Sequence, residues 1–217
     1  DIFSIVTEKN FPTLVSALQL MFSGTLLYGV YKIVIKNTVK QKMAKYWKYL
    51  AYIFYFLAFD EWFTVHDTLG KGFAKSMGQV GDLFGWTLLY FLIVPIFFLW
   101  ALRFLYQLPR KTALLFIVSG GIFVFGAIGL ELLNLSRIQA VLNIELSSLG
   151  GYIVGLLEES CEMLGIFLFN ITLFLYCQKY LDNQPIYLSK KLYIIAMVFG
   201  LFDICVTYTY QCLNNKW

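Results

Sequence analysis

The chain has 217 residues, of which 59% are apolar and 19% aromatic, and its formal net charge at pH 7 is +4. This composition excludes an ordinary soluble protein, and the length suits one domain, so we predict an all-α integral membrane bundle over residues 1–217. The expected partner is the lipid bilayer. Nucleic acid is not an expected partner, because the modest positive charge lies in the connections between apolar stretches.

Six apolar stretches are long enough to cross a bilayer, for which a helix needs about 20 residues. The second is the least hydrophobic at its far end, where the polar sequence FDEWFTVHD gives the helix a reason to unwind or stop short. We still assign it as a span. In chain order the six predicted transmembrane helices cover approximately 12–35, 47–67, 84–106, 112–134, 151–177 and 191–213.

The connections on the two sides of these spans differ in charge. Those after spans one, three and five carry twelve lysine and arginine residues, and the opposite side carries five. The positive-inside rule places the richer side in the cytoplasm, so both termini are predicted to be extracytoplasmic. We expect a bacterial inner (plasma) membrane. The chain begins at Asp1 rather than at a methionine, which leaves room for a preceding N-terminal segment.

Ionisable side chains interrupt the outer parts of spans two, four and five. A charge in hydrocarbon is costly unless it is paired, coordinated or hydrated, so such residues usually mark a functional site. If span five enters the membrane near Gly151, its acids lie roughly 10 to 16 Å below that point, at 1.5 Å per residue. We predict that eight residues meet in one pocket near the extracytoplasmic face: Asp60, Glu61, His66, Asp67, Glu131, Glu158, Glu159 and Glu162.

Helical spacing predicts which of these residues share a face. Asp60, Thr64 and Asp67 would line one stripe of span two, and His66 would point elsewhere unless the helix loosens. Small residues on the acidic faces of spans four and five would let the helices approach closely. These faces combine Gly120 and Ala127 with Glu131, and Gly151, Gly155 and Gly165 with Glu158 and Glu162.

Six or seven carboxylates in one pocket cannot all be ionised without compensation, because like charges repel strongly at low dielectric constant. A bound divalent cation or exchangeable protons would supply it. Oxygen ligands suit Ca²⁺, Mg²⁺ or Mn²⁺, and the single histidine leaves iron open while disfavouring the usual zinc site. The plainer alternative is that the acids only fix helix register. We prefer that interpretation for a lone acid, such as Asp203 midway along span six, and the cation or proton site for the whole set.

Three strings in the chain resemble motifs of a known family. They are DEWFTVHD at Asp60–Asp67, GAIGLE at Gly126–Glu131 and EESCEMLG at Glu158–Gly165. They are similar to the DExxxxH(E/D), GxxGxE and EExxEMxG motifs of an uncharacterised family of bacterial polytopic membrane proteins. The likeness covers about residues 50–180, and Asp67 stands where that family more often has Glu. The resemblance implies a membrane bundle and no particular activity.

Several enzyme classes lack their motifs here. The chain has no GxSxG, HExxH or P-loop sequence, and one histidine cannot supply the clusters of membrane desaturases. Three hypotheses remain. The first is a transporter or channel subunit in which Asp60, Glu158 and Glu162 bind a divalent cation or protons. The second is a carboxylate-ligated metalloenzyme acting on a lipid or quinone at the outer leaflet. The third is an accessory subunit that binds a membrane protein partner or a second copy of itself.

Overall fold

The computed structural model describes residues 11–36, 41–78, 84, 87–134, 139, 142–144 and 147–180, and within these ranges the fold is all-helical. The sixth predicted span and Asp203 lie outside the described residues. In chain order the helices are α1 (Phe11–Val34), α2 (Gln41–Phe63), α3 (Val65–Ser76), α4 (Thr87–Leu105), α5 (Arg110–Val124), a π-helical segment (Phe125–Leu130), α6 (Glu131–Asn134) and α7 (Ser148–Tyr180).

Four helical stretches are long and apolar enough to cross a membrane. They correspond to predicted spans one, three, four and five, and their ends lie within three residues of the predicted ones. Helices of this kind are expected of a polytopic membrane protein. The helix α2 is 23 residues long but less apolar, and it is not among the four. The stretches are Thr13–Val34, Thr87–Leu105, Arg110–Leu133 and Leu149–Lys179.

The helix α2 ends at Phe63, four residues before the predicted end of span two. Thr64 has a φ of 52°, in the left-handed region that is costly for a β-branched residue, and α3 begins at the next residue. The helix that carries Asp60 therefore does not continue to Asp67. The prediction that Asp60, Thr64 and Asp67 form one helical stripe is wrong for this reason.

The main hydrophobic core lies where α1, α4 and α7 end and α2 and α5 begin. Trp47 is fully buried there, and its ring centroid lies 4.8 Å from that of Phe104, 5.1 Å from Tyr176 and 6.5 Å from Phe116. One side chain thus joins four helices. This end also carries most of the described basic residues, namely Lys32, Lys36, Lys42, Lys45, Lys48, Arg103, Arg110, Lys111 and Lys179.

A smaller apolar layer separates this core from the opposite end of the bundle. Leu20 of α1, Ala58 of α2 and Ile166 of α7 are buried together. Leu20 of α1 packs beside Ile166 of α7, and one turn further along each helix Ser23 bonds to Asn170, so α1 and α7 run in the same direction. The helix α2 is antiparallel to α1, because its beginning packs against the end of α1. The side chains one turn before this layer on α1 and α7 therefore lie at one depth.

Two glycines bring the α5 region and α7 into close contact. A Cβ atom built on Gly165 would lie 2.7 Å from the backbone nitrogen of Phe123, and one built on Gly126 would lie 2.9 Å from the carbonyl oxygen of Glu158. Only glycine permits this approach. Gly120 and Gly151 have open space around them, so the close contact does not use those two glycines of the predicted small-residue faces.

We predict that replacing Gly165 with alanine destabilises the bundle, because the new methyl group meets the backbone of α5 rather than a mobile side chain. Overpacking of this kind costs about 1–3 kcal/mol, which lowers the Tm of a protein of this size by several degrees. Thermal unfolding in detergent measures the change. Gly120→Ala is the matched control and leaves the Tm unchanged or slightly raised, since a Cβ there meets no atom within 4 Å. Equal Tm values for the two variants would contradict the close contact.

Candidate functional site

The buried side chain of Asp60 connects the end of α2 to the two helices that follow. Its Oδ1 accepts a hydrogen bond from the backbone N–H of His66 at 2.6 Å, and its Oδ2 accepts one from the Tyr90 hydroxyl at 2.9 Å. His66 Nδ1 also lies 3.4 Å from Oδ1. Because the first N–H groups of a helix have no partner within the helix, Asp60 acts as a cap for α3 and links it to α4.

The break at Thr64 explains why His66 lies beside Asp60. In a continuous helix the two residues would point in different directions, whereas the left-handed residue folds the start of α3 back onto the Asp60 carboxylate. Both oxygens of Asp60 accept hydrogen bonds in this arrangement, which gives the residue a clear structural role. Asp67 follows in α3, and nothing is described for its side chain.

A second group of acids surrounds Glu162 of α7. Its carboxylate is close enough to four others to interact with them electrostatically: Glu61 of α2, Glu131 at the start of α6, and Glu158 and Glu159 of α7 itself. Glu158 and Glu162 are four residues apart and share a helix face, with Glu159 next to it. We call these five residues the glutamate cluster. The structure thus brings together five of the eight predicted site residues, and it places Asp60 and His66 beside them, since Glu61 also interacts with both.

The π-helical segment positions the α6 end of the cluster. It occupies Phe125–Leu130, directly before Glu131, and includes the glycines of the GAIGLE string. π-helical turns are rare and often occur at functional sites. Its Gly126 presses against α7, where a Cβ would lie 3.1 Å from Glu162 Cγ. Because the segment departs from regular helical spacing, the predicted register of Gly120, Ala127 and Glu131 does not hold.

The helix α1 supplies polar groups to the site that its sequence alone does not single out. Ser16 is fully buried and approaches Glu61 as a hydrogen-bonding neighbour, although its hydroxyl does not meet the geometry of a full hydrogen bond. Gln19 and Ser23 follow on nearby faces, and the Ser23 hydroxyl donates to Asn170 Oδ1 of α7 at 2.9 Å. The spacing of three and four residues in an otherwise apolar helix is the signal that could have revealed them.

A metal ion needs several ligands held at fixed positions around it. Within the described ranges, no group of three or more His, Cys, Asp or Glu side chains is positioned to hold one. Buried carboxylates still require compensation, which protons can provide without fixed ligand geometry. The site is therefore best described as a set of interacting carboxylates with neutral hydroxyl and amide groups beside it.

One protein-family model matches the chain, over residues 1–177, and its description is Domain of unknown function (DUF8692). The matched region contains the whole glutamate cluster. No curated protein and no solved structure matches the chain. The match agrees with the resemblance to an uncharacterised family, while the three motifs and a bacterial origin stay predictions.

We predict that Asp60→Ala loosens the start of α3, because the His66 N–H and the Tyr90 hydroxyl both lose their acceptor. Loss of a helix cap costs about 1 kcal/mol, so amide hydrogen exchange of peptides covering residues 64–72 should rise roughly fivefold. Hydrogen-exchange mass spectrometry measures it. Tyr90→Phe is the control, since it keeps the cap and leaves exchange in α3 nearly unchanged. Unchanged exchange in Asp60→Ala would show that the carboxylate does not hold α3.

Proposed function

The chain belongs to the family described as Domain of unknown function (DUF8692), and from its glutamate cluster we propose that it is a membrane protein that binds protons and carries them into or across the bilayer. The observation that carries this proposal is the position of Glu162. It lies inside a stretch that is long and apolar enough to span a membrane, Leu149–Lys179, and four other carboxylates interact with it.

Electrostatic repulsion is the reason that such a cluster binds a positive species. Two ionised carboxylates about 6 Å apart repel by roughly 3 kcal/mol at an effective dielectric constant of about 20, and the repulsion grows with each added charge. Protonation of some members removes it. A cluster whose members share protons in this way can also exchange them, which is the basic requirement of a proton carrier.

Protons are preferred over a divalent cation because of the ligand geometry. The described side chains form no group of three or more metal-ligating residues, and both oxygens of Asp60 already accept hydrogen bonds. A divalent cation such as Ca²⁺, Mg²⁺, Mn²⁺ or iron is the alternative ligand, and the experiment below separates the two. The metalloenzyme and accessory-subunit hypotheses stay predictions that no described feature tests.

The proposed orientation places the cluster on the extracytoplasmic side of an inner membrane. Most described basic residues lie at the opposite end of the bundle, around Trp47, and the positive-inside rule assigns that end to the cytoplasm. Protons would therefore enter from outside, near the start of α7. In this proposal α2 and the stretch at 191–213 are also spans, which completes six and leaves both termini outside.

We predict that the purified protein in liposomes conducts protons down an imposed electrical gradient, measured with an enclosed pH-sensitive dye. Glu162→Gln removes the central carboxylate with almost no change in shape, and it should lower the rate by roughly a hundredfold, toward that of empty liposomes. Glu162→Asp is the matched control, because it keeps an ionisable group, and it should retain a substantial part of the flux. Elution of each variant as a single species controls for folding.

Two results would overturn the proposal. One is the absence of proton flux in the wild-type protein, and the other is a flux that Glu162→Gln does not change. A divalent cation bound in stoichiometric amount by elemental analysis, and lost in Glu162→Gln, would instead assign the cluster to that cation.

A further inference from the structure

Four polar side chains lie between the glutamate cluster and the middle of the bundle. Ser16, Gln19 and Ser23 belong to α1, and Asn170 belongs to α7. The first lies beside Glu61, and the last is joined to Ser23 by a hydrogen bond of 2.9 Å. Ser16 and Ser23 are seven residues apart in α1, which is about 10 Å along the helix. We call these four side chains the polar column.

The two outer members of the polar column carry buried atoms that need partners. The Ser16 side chain is 0% exposed, and neither its Oγ nor Gln19 Oε1 makes a hydrogen bond to any part of the chain that the structure describes. Buried polar atoms of this kind are normally satisfied by ordered water. Ser16 also lies next to Glu61 of the glutamate cluster, which provides a further polar partner for a bound water.

Ser23 and Asn170, the inner members of the polar column, are joined by a hydrogen bond that can change its acceptor. The single proton of the Ser23 hydroxyl has two acceptors at 2.9 Å, the carbonyl oxygen of Gln19 and Oδ1 of Asn170. A hydroxyl placed between two acceptors can switch between them without a change of backbone. Below this level the packing is mainly apolar, and Leu27 and Leu173 are completely buried in the core that contains Trp47.

We propose that the polar column holds a chain of ordered water molecules and is the inner half of a proton route that begins at the glutamate cluster, an inference that rests on the proposed function. Each step breaks one O–H bond and forms another, as a protonated glutamate gives its proton to a water and a further water passes one on. The charge moves inward by one hydrogen bond at each step. The polar column reaches as far as Asn170, above the apolar core, and the remainder of the route across the membrane lies beyond it.

Proton flux tests the route. In liposomes, Ser16→Ala and Gln19→Leu should each lower the wild-type rate by roughly fivefold, because each removes one hydrogen-bonding partner of the water chain. Ser119→Ala and Thr172→Val are matched controls, because both residues are buried and, among the described residues, their hydroxyls donate to carbonyls of their own helices. These two variants should conduct like the wild type. If Glu162→Gln stops the flux but Ser16→Ala and Gln19→Leu do not change it, the polar column is wrong and the proposed function stands.

Water access tests the polar column independently of conduction. Silver ions travel in water and bind thiolate sulfur, so a cysteine at a hydrated position should react with them. In the full-length chain with its native cysteines replaced by alanine, Ser23→Cys should react from outside, and Leu27→Cys, one turn deeper, should not. An unreactive Ser23→Cys would overturn the inference. A reactive Ser23→Cys in a protein without proton flux would support the hydrated column and remove the proposed function. The native cysteines are Cys161, Cys177, Cys205 and Cys212.

Discussion

The repulsion between carboxylates in a low-dielectric interior is the constraint on which the rest of this structure depends. Glu162 and its four acidic neighbours cannot all be ionised without a large electrostatic cost, which bound protons or a cation would lower. The helices bring these acids close in spite of that cost. Gly126 and Gly165 make the approach of the α5 region and α7 close enough for Glu131 to join the cluster. Packing energy between the helices therefore offsets part of the electrostatic cost of the site.

The bundle is polarised along its length, and the two ends have different physical roles. Trp47 and the rings around it form an aromatic core at the basic end. At the other end, Asp60 and the glutamate cluster replace apolar packing with hydrogen bonds and interacting charges. In the proposed function, protons exchange at the acidic end while the aromatic end holds the helices together.

The sequence predicts the features that depend on apolar length and on regular helical spacing. Four of the six spans agree with described helices, and the pairing of Glu158 with Glu162 follows from their separation. Prediction from the sequence fails where a helix departs from regular α-helical spacing. The polar sequence FDEWFTVHD indicates that α2 can stop short, but it does not indicate that the helix ends at the left-handed Thr64. The π-helical segment alters the register before Glu131, which the GAIGLE string does not reveal. Ser16 was missed for a different reason, because its importance depends on the helix that packs against it.

The π-helical segment also bears on how such a site can change over generations. A π-helical turn holds more residues than an α-helical one, so loss of a single residue from Phe125–Leu130 could restore regular spacing. A π-helical turn takes up one extra residue without redirecting the helix that follows, so Glu131 would keep its place beside Glu162 after such a deletion. The cluster thus tolerates a change of one residue in the length of this segment, whereas a one-residue deletion within a regular helix rotates every following residue by about 100°.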